Sequence, residues 1–123
     1  MTHTKSIRLR VMRGGVIAFG PGKAALLLAI AQYGSISAAA RALGMSYRRA
    51  WLLVEEMNTS FQEPLVATAT GGANGGGARI TELAQTMLRR YEHMTAKAEV
   101  AVAQDMAYFE SLMASTVDVS PGE

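Results

Sequence analysis

The chain has 123 residues, of which half are hydrophobic and 18% are charged, and this balance indicates a folded domain rather than a disordered chain. It contains no cysteine and only two histidines, which excludes disulfides, cysteine nucleophiles and histidine-rich metal centres. No apolar run approaches the roughly 20 residues of a membrane span. Residues 1–5 lack the apolar stretch of a signal peptide. We therefore expect a soluble, cytoplasmic protein without membrane association.

The charge is distributed unevenly along the chain. Residues 1–49 carry eight bases and no acid, whereas residues 50–123 carry four bases and ten acids, for a formal net charge of +2. A basic front half joined to an acidic back half indicates a polyanion-binding face and a segment with another role. Solvated surface charge is the alternative.

The first predicted element is a β-hairpin over residues 6–19. Apolar residues alternate with arginines or methionine over residues 7–12, which is typical of a half-buried strand. Gly14-Gly15 suit a two-residue turn, and residues 16–19 supply a second strand.

A buried helix is expected to follow the hairpin. Gly20-Pro21 predict its start, because proline suits the first helical position. Residues 24–33 are apolar almost all round, and Gly34 is expected to end the helix.

Residues 36–58 give the most specific pattern in the chain. Ser37 is expected to cap a short helix over residues 38–43, and Ser46 to cap a second helix over residues 47–58. Because so few residues separate the two helices, they must cross at a steep angle, as in a helix-turn-helix motif.

Six positions fit the needs of this motif together. Ala40 is small where the helices cross, and Gly44 permits a left-handed turn. The residues expected to face the core are Leu43, Met45, Ala50 and Leu53. An ordinary helical hairpin is the alternative.

Residues 65–81 predict a wing. LVATAT (65–70) reads as a strand, GGANGGG (71–77) as a flexible loop, and Arg79-Ile80 as a return strand before Thr81 caps the next helix. A loop that cradles a nucleotide phosphate is the alternative, but the loop contains no lysine and lacks the P-loop spacing.

Residues 82–113 contain no glycine or proline and predict one helix about 48 Å long, longer than this core can cover. Its wide apolar stripe needs a partner, and we expect a second copy of the chain. The alternative is that the stripe packs back on its own domain. The predicted dimer-interface residues are Leu83, Met87, Tyr91, Met94, Ala98, Ala101, Tyr108 and Leu112.

These elements predict a mainly α fold with small β content. It is a winged helix-turn-helix domain over residues 6–81, with an N-terminal hairpin, followed by a long C-terminal dimerisation helix over residues 82–114. Residues 1–5 and 115–123 are expected to be flexible tails.

A helix-turn-helix places the N-terminal residues of its second helix in the major groove of double-stranded DNA. Arg48 and Arg49 can each pair with guanine or with a phosphate, and which arginine does which stays open. Trp51 can brace the second helix, contact a base, or be buried against the wing or the first hairpin. The predicted DNA-binding residues are Ser37, Ser46, Tyr47, Arg48, Arg49, Trp51, Thr70, Asn74 and Arg79.

The runs GSISAAARALGMSYRRAWLLVEEMN (34–58) and TGGANGGGARIT (70–81) resemble the N-terminal winged-helix domain of ModE-type molybdate-responsive transcriptional regulators. The helix-turn-helix alone also fits LysR-type regulators, but the glycine-rich wing, Tyr47 and Trp51 favour ModE. The resemblance covers roughly residues 6–112. It implies a homodimer that binds a pseudo-palindromic operator through this domain, uses the long helix as dimer interface, and controls molybdenum-related genes.

ModE-type proteins also carry a C-terminal molybdate-binding region of small β-barrel units, which residues 1–123 do not include. We therefore expect a single-domain relative without a cofactor, with molybdate implied by the resemblance alone and the effector unknown. An enzyme is not expected, because no nucleophile–base pair or metal-ligand set is evident, and Glu55 and Glu56 are interpreted as solvated charges. The other reading is a LysR-like or other winged-helix module for protein assembly, without sequence-specific DNA binding.

Overall fold

The computed structural model describes residues 7–69 and 76–114. The elements in chain order are β1 (Val11–Arg13), β2 (Val16–Phe19), α1 (Pro21–Tyr33), α2 (Ile36–Leu43), α3 (Tyr47–Ser60), β3 (Val66–Ala69), β4 (Gly77–Ile80), α4 (Glu82–Ala101) and α5 (Ala103–Ser111). In the described ranges, β1 pairs with β2 and β3 with β4, both antiparallel. The mainly α winged helix-turn-helix fold is confirmed.

The N-terminal hairpin turns where the sequence predicts it, at Gly14-Gly15, and Gly14 has a φ of +60°. Its first strand begins later than predicted, because regular pairing starts at Val11 and residues 7–10 are not in a strand. The physical reason is a contact with α4: the Tyr91 hydroxyl donates a 2.7 Å hydrogen bond to the Leu9 carbonyl. Residues 7–10, which share the period-2 pattern, therefore lie outside the sheet, with Leu9 held against α4.

Helix α1 forms the centre of the core. Pro21 occupies its first position, and Gly34 ends it with a φ of +79° and an N–H that donates to the Ile30 carbonyl. Leu26, Leu27 and Ile30 are fully buried. The prediction of a helix buried all round is wrong at Leu28, which stays exposed on the outer face of α1.

Both helices of the predicted helix-turn-helix form, with one corrected cap. Ser35, not Ser37, caps α2: its Oγ accepts a 3.0 Å hydrogen bond from the Ala38 N–H. The helix begins at Ile36, which is buried, and Ser37 lies exposed in its first turn. Ser46 caps α3 as predicted, accepting a 3.0 Å hydrogen bond from the Arg49 N–H.

The core of the motif follows the pattern except at one position. Ala40 and Ala50 are buried, and Met45 and Leu53 pack partly buried against the same core. Leu43 was expected to face the core but is 38% exposed. It is the last residue of α2, where the chain turns at Gly44 (φ +72°), and the buried face of the helix ends before it.

The predicted single C-terminal helix is interrupted. Val102, with φ −108° and ψ +12°, separates α4 from α5, and its N–H still donates to the Ala98 carbonyl. Neither glycine nor proline marks this break, so the residue pattern gave no sign of it.

The apolar stripe of this segment has two parts. Leu83, Met87 and Tyr91 pack against the core of their own domain, as the alternative reading expected for the whole stripe. Farther along, Ala98 is half-buried. The remaining members of the predicted dimer interface are exposed, namely Met94, Ala101, Tyr108 and Leu112.

Candidate nucleic-acid interface

The N-terminal end of α3 stands at the surface as a basic tip, which we define as residues 46–49. Ser46, Tyr47, Arg48 and Arg49 are all exposed. The opposite face of α3 anchors the helix through three buried residues, Ala50, Val54 and Met57. Within the parts of the chain that the structure describes, neither arginine of the basic tip forms an ion pair. Both guanidinium groups are therefore available to a polyanion.

Beside the basic tip lies a shallow groove of about 310 Å³ between α2, α3 and the wing strands, which we call the wing groove. Ser37, Tyr47 and Trp51 line one side of it, and Thr68 and residues 76–78 line the other. Three predicted site residues from two helices thus meet the wing at one place. Trp51 is 42% exposed here, beside the wing, and is not buried beneath the first hairpin.

The wing presents further polar groups next to this groove. Strands β3 and β4 pair from Val66↔Ile80 to Ala69↔Gly77, and Arg79 is exposed on β4. At Gly76, just before β4, a Cβ atom would come within 3.1 Å of the Ala69 carbonyl oxygen, so the close approach of the chain to the end of β3 suits glycine. The predicted site residues Thr70 and Asn74 lie outside the described residues.

Asn58 fastens the end of α3 to the base of the wing, a role that sequence reasoning missed. Its Oδ1 accepts hydrogen bonds from the N–H groups of Leu65 (2.8 Å) and Val66 (3.1 Å), and its Nδ2 donates to the Val66 carbonyl (3.1 Å). The available signal was the Asn of the EMN run at the end of the predicted second helix, a few residues before the strand-like segment. A side-chain amide can satisfy one donor and one acceptor position of a strand together.

The other wing strand is held by the end of α1. The Ala78 N–H donates a 2.8 Å hydrogen bond to the Gly34 carbonyl. The wing is thereby attached to the C-terminal ends of two different helices.

An ion pair between a buried lysine and a half-exposed glutamate holds α3 against the core. Lys23 of α1 is 4% exposed, and its Nζ lies 2.8 Å from Oε1 of Glu56, which is 49% exposed. The same ammonium donates a hydrogen bond to the Ile17 carbonyl of β2. The prediction that Glu56 is merely solvated is therefore wrong. The ion pair joins α3 to α1 and the hairpin.

Tyr91 links α4 to the hairpin in two ways. Its ring meets Phe19 edge-on at a centroid distance of 5.2 Å, and its hydroxyl holds Leu9 as described above. Burial raises the pKa of the Tyr91 phenol, and the nearby Arg10 and Arg8 guanidinium groups oppose that rise. A tyrosine predicted at the dimer interface therefore also has a role inside its own subunit.

The described residues show neither a transmembrane element nor a metal cluster. No helix among them combines the length and hydrophobicity needed to cross a bilayer. Within the same ranges, no three histidine, aspartate or glutamate side chains gather as metal ligands would.

Comparison with known proteins assigns the architecture to a family. Residues 23–85, which include the whole helix-turn-helix and the wing strands, match the family described as bacterial regulatory helix-turn-helix proteins of the LysR family. A solved structure of ArgP from Mycobacterium tuberculosis is similar, with a TM-score of 0.46 and 19% identity over 73% of this chain and 30% of that chain.

Curated relatives include proteins whose names refer to molybdenum. The molybdenum-pterin-binding protein MopA of Rhodobacter capsulatus is 44% identical over 80 residues, 65% of this chain and 30% of MopA. The transcriptional regulator ModE of Yersinia pestis is 38% identical over 98 residues, 77% of this chain and 37% of that protein. The DNA-binding transcriptional dual regulator ModE of Escherichia coli K12 is 43% identical over 72 residues, 58% of this chain and 28% of that protein.

The chain spans less than half of the length of the curated relatives it matches, for example 28% of the Escherichia coli ModE, 30% of MopA and 37% of the Yersinia pestis ModE. The predicted resemblance to ModE-type regulators is confirmed over this part. The relatives that it matches include DNA-binding transcriptional regulators named ModE. The chain belongs to the LysR family of bacterial regulatory helix-turn-helix proteins.

Proposed function

We propose that this protein is a sequence-specific DNA-binding transcriptional regulator that inserts the basic tip of α3 into the major groove of its operator. The observation that carries the proposal is the tip itself: Arg48 and Arg49 are exposed on the first turn of α3, while the opposite face of the helix is anchored in the core. An arginine in that position can donate two hydrogen bonds to the O6 and N7 atoms of guanine.

The wing groove supplies the contacts that position the domain on the duplex. Ser37 and Tyr47 line it and present hydroxyl groups, and Arg79 lies exposed on the adjacent strand. Such groups pair with phosphates and set the register without reading bases. Ser46, Thr70 and Asn74 complete the proposed phosphate-binding set, and Trp51 braces α3 against the wing.

A homodimer is the proposed binding unit. Several apolar residues on the latter part of α4 and on α5 are exposed in the single chain, with Tyr108 at 62%. A contiguous apolar surface on a helix indicates a partner, and a second copy of the chain supplies a symmetric one. The two recognition helices of such a dimer would meet half-sites about 34–36 Å apart on a pseudo-palindromic operator.

The names of the ModE relatives support the proposal that this chain controls molybdenum-related genes. We place this proposed role in the cytoplasm. Selection of bound fragments from genomic DNA by the purified protein, with and without molybdate, tests the target class and the ligand dependence. Fragments from molybdenum-related loci are the expected product. An unbiased pool would contradict this part of the proposal.

Replacing Arg48 or Arg49 by alanine tests the reading of DNA on the operator so obtained. If the replaced arginine reads a base, its loss is expected to remove about 1–3 kcal/mol of discrimination at that base pair. If the replaced arginine binds phosphate, its loss is expected to weaken binding to all sequences alike and to reduce the steepness of the plot of log affinity against log salt concentration by about one. Fluorescence anisotropy at several salt concentrations measures both effects.

Arg90→Ala is the matched control, since Arg90 is an exposed arginine on α4, away from the basic tip and the wing groove. It should leave affinity unchanged. If both tip variants also bind as the parent does, the basic tip is not the DNA-reading element. If a dimeric protein shows no salt-sensitive duplex binding at all, the protein-assembly reading replaces this one.

The dimer is tested by Leu112→Glu, which places a charge in the exposed apolar stripe at the C-terminal end of α5. Sedimentation velocity is expected to show a monomer for this variant and a dimer for the parent. Glu110→Gln, a change on the same short helix, should leave the dimer intact. A monomeric parent would contradict the proposed binding unit.

A further inference from the structure

Leu52, in the middle of α3, is a leucine at a position where the fold calls for a polar residue. It is 48% exposed, in a helix that buries Ala50, Val54 and Met57. At 3.6 residues per turn, Leu52 lies about 140–160° around the helix axis from each of these three residues. The face opposite the buried side of a helix is ordinarily polar. Packing in the core of the subunit therefore does not account for a leucine there.

Leu52 shares this outer face with both arginines of the basic tip. It follows Arg48 by four residues and Arg49 by three, and these spacings make side chains neighbours on a helix. Two further exposed aromatic side chains, Tyr47 and Trp51, lie on the wing side of the same helix. A single exposed leucine is common on protein surfaces, whereas one that extends such a surface beside two exposed arginines indicates a ligand that is both anionic and partly apolar.

The major groove of DNA combines these two properties. Phosphates line its edges, and the C5-methyl group of each thymine gives its floor an apolar group that side chains can contact. Leu52 lies about 6 Å along the helix axis from Arg48, and base pairs are spaced about 3.4 Å apart, so the two side chains would meet base pairs about two steps apart. Farther along α3, the exposed carboxylate of Glu55 disfavours a close approach to phosphates. The part of α3 that suits the groove therefore ends near Leu52.

We propose that Leu52 contacts the C5-methyl group of a thymine and makes the operator preference depend on that methyl group. The arginines can pair with bases or phosphates through hydrogen bonds, and Leu52 adds an apolar contact that recognises thymine. This inference rests on the proposed insertion of the basic tip into the major groove. Its failure is nevertheless separable, since Arg48 and Arg49 can bind DNA whether or not Leu52 contacts a base.

Replacement of thymine by deoxyuridine tests the contact, because it removes the methyl group and keeps the hydrogen-bonding groups of the base. Operator duplexes with one thymine replaced at a time are titrated with the parent protein and with Leu52→Ala, and fluorescence anisotropy measures the affinity. For the parent, at least one replacement is expected to weaken binding about fourfold, the value of one buried methyl group. Leu52→Ala is expected to bind the unmodified operator about fourfold more weakly and to show no difference between thymine and deoxyuridine at that position.

Two control variants separate the contact from a general effect on the protein. Leu52→Met keeps an apolar side chain and should keep most of the preference for thymine. Leu28→Ala shortens a leucine that is exposed on α1 and should change neither the affinity nor the preference. Because Leu52 is exposed, Leu52→Ala should unfold at nearly the same urea concentration as the parent.

Two outcomes would overturn the inference and leave the proposed function standing. Deoxyuridine could weaken the parent and Leu52→Ala alike, or have no effect at any position, in a protein whose binding still depends on salt and on Arg48 or Arg49. A parent protein without salt-sensitive duplex binding would refute the proposed function, and the inference would fall with it.

Discussion

The ion pair between Lys23 and Glu56 leads to an asymmetric prediction. Lys23 is almost fully buried, whereas the Glu56 side chain is half in water. Glu56→Met removes the exposed partner and leaves a buried ammonium with only the Ile17 carbonyl, so we expect a loss of about 3 kcal/mol of unfolding free energy. Lys23→Met keeps the buried hydrocarbon stem and leaves a carboxylate that water can solvate, so we expect a loss of only about 1 kcal/mol.

The double variant decides whether the cost comes from the unpaired charge. With both residues replaced by methionine, no charge is left buried, and the stability is expected to return to within about 1 kcal/mol of the parent. A loss of 3 kcal/mol is a large part of the 5–15 kcal/mol typical of a domain, so it is readily measured. Urea unfolding followed by circular dichroism, at one fixed protomer concentration, gives all four corners of the cycle.

Glu55→Met is the matched control, since Glu55 is the exposed neighbour of Glu56 on the same helix. It should change stability by less than about 0.5 kcal/mol. Equal losses for Lys23→Met and Glu56→Met would refute the reasoning, because the argument depends on which partner is buried. A double variant as unstable as Glu56→Met alone would refute it as well.

Three further substitutions test local features of the fold. Gly44→Ala places a side chain at φ +72° and is expected to lower the free energy of unfolding by about 1–2 kcal/mol, as measured by thermal unfolding. Its control is Gly22→Ala in α1, where φ is ordinary and the surrounding space is open, so the change should be neutral or stabilising. Asn58→Ala leaves the N–H groups of Leu65 and Val66 without their acceptor and is expected to lower the free energy of unfolding by about 2–3 kcal/mol. Hydrogen exchange at these two amides should become faster. Unchanged exchange would show that Asn58 does not hold the wing. Tyr91→Phe removes the hydrogen bond to Leu9 and is expected to cost about 1 kcal/mol at neutral pH. Burial raises the pKa of Tyr91 in the folded state, so its contribution to the free energy of unfolding is present below the ordinary tyrosine pKa of about 10 and is lost as pH rises through the folded pKa. Urea unfolding at a series of alkaline pH values should show this loss in the parent and a smaller loss in Tyr91→Phe. Parallel stability curves for the two proteins would contradict this prediction.

Several turns and helix caps that depend only on neighbouring residues could be predicted from the sequence. The turn at Gly14-Gly15, the caps at Ser46 and Thr81, and the left-handed residue Gly44 all form as predicted. Each of these features needs only a few consecutive residues of the right kind.

The predictions failed where distant parts of the chain decide. Residues 7–10 fit a strand locally, but Tyr91 of α4 holds this segment outside the sheet. The charge on Glu56 looked solvated because nothing nearby in sequence pairs with it, and its partner Lys23 lies in another helix. The error at the cap of α2 is of a different, local kind: Ser35, two residues before the predicted Ser37, holds the extended backbone and accepts the Ala38 N–H.

Fastening of the wing at both of its strands has a consequence for how the protein can evolve new targets. One strand is tied to the end of α3 by Asn58 and the other to the end of α1 by Gly34. The direction in which the strands leave the domain is therefore set by the helices and not by the segment that joins them. Insertions or deletions in residues 70–75 would therefore leave the orientation of α3 unchanged, so, if α3 reads DNA as proposed, the length of this segment can change without altering the bases that are read.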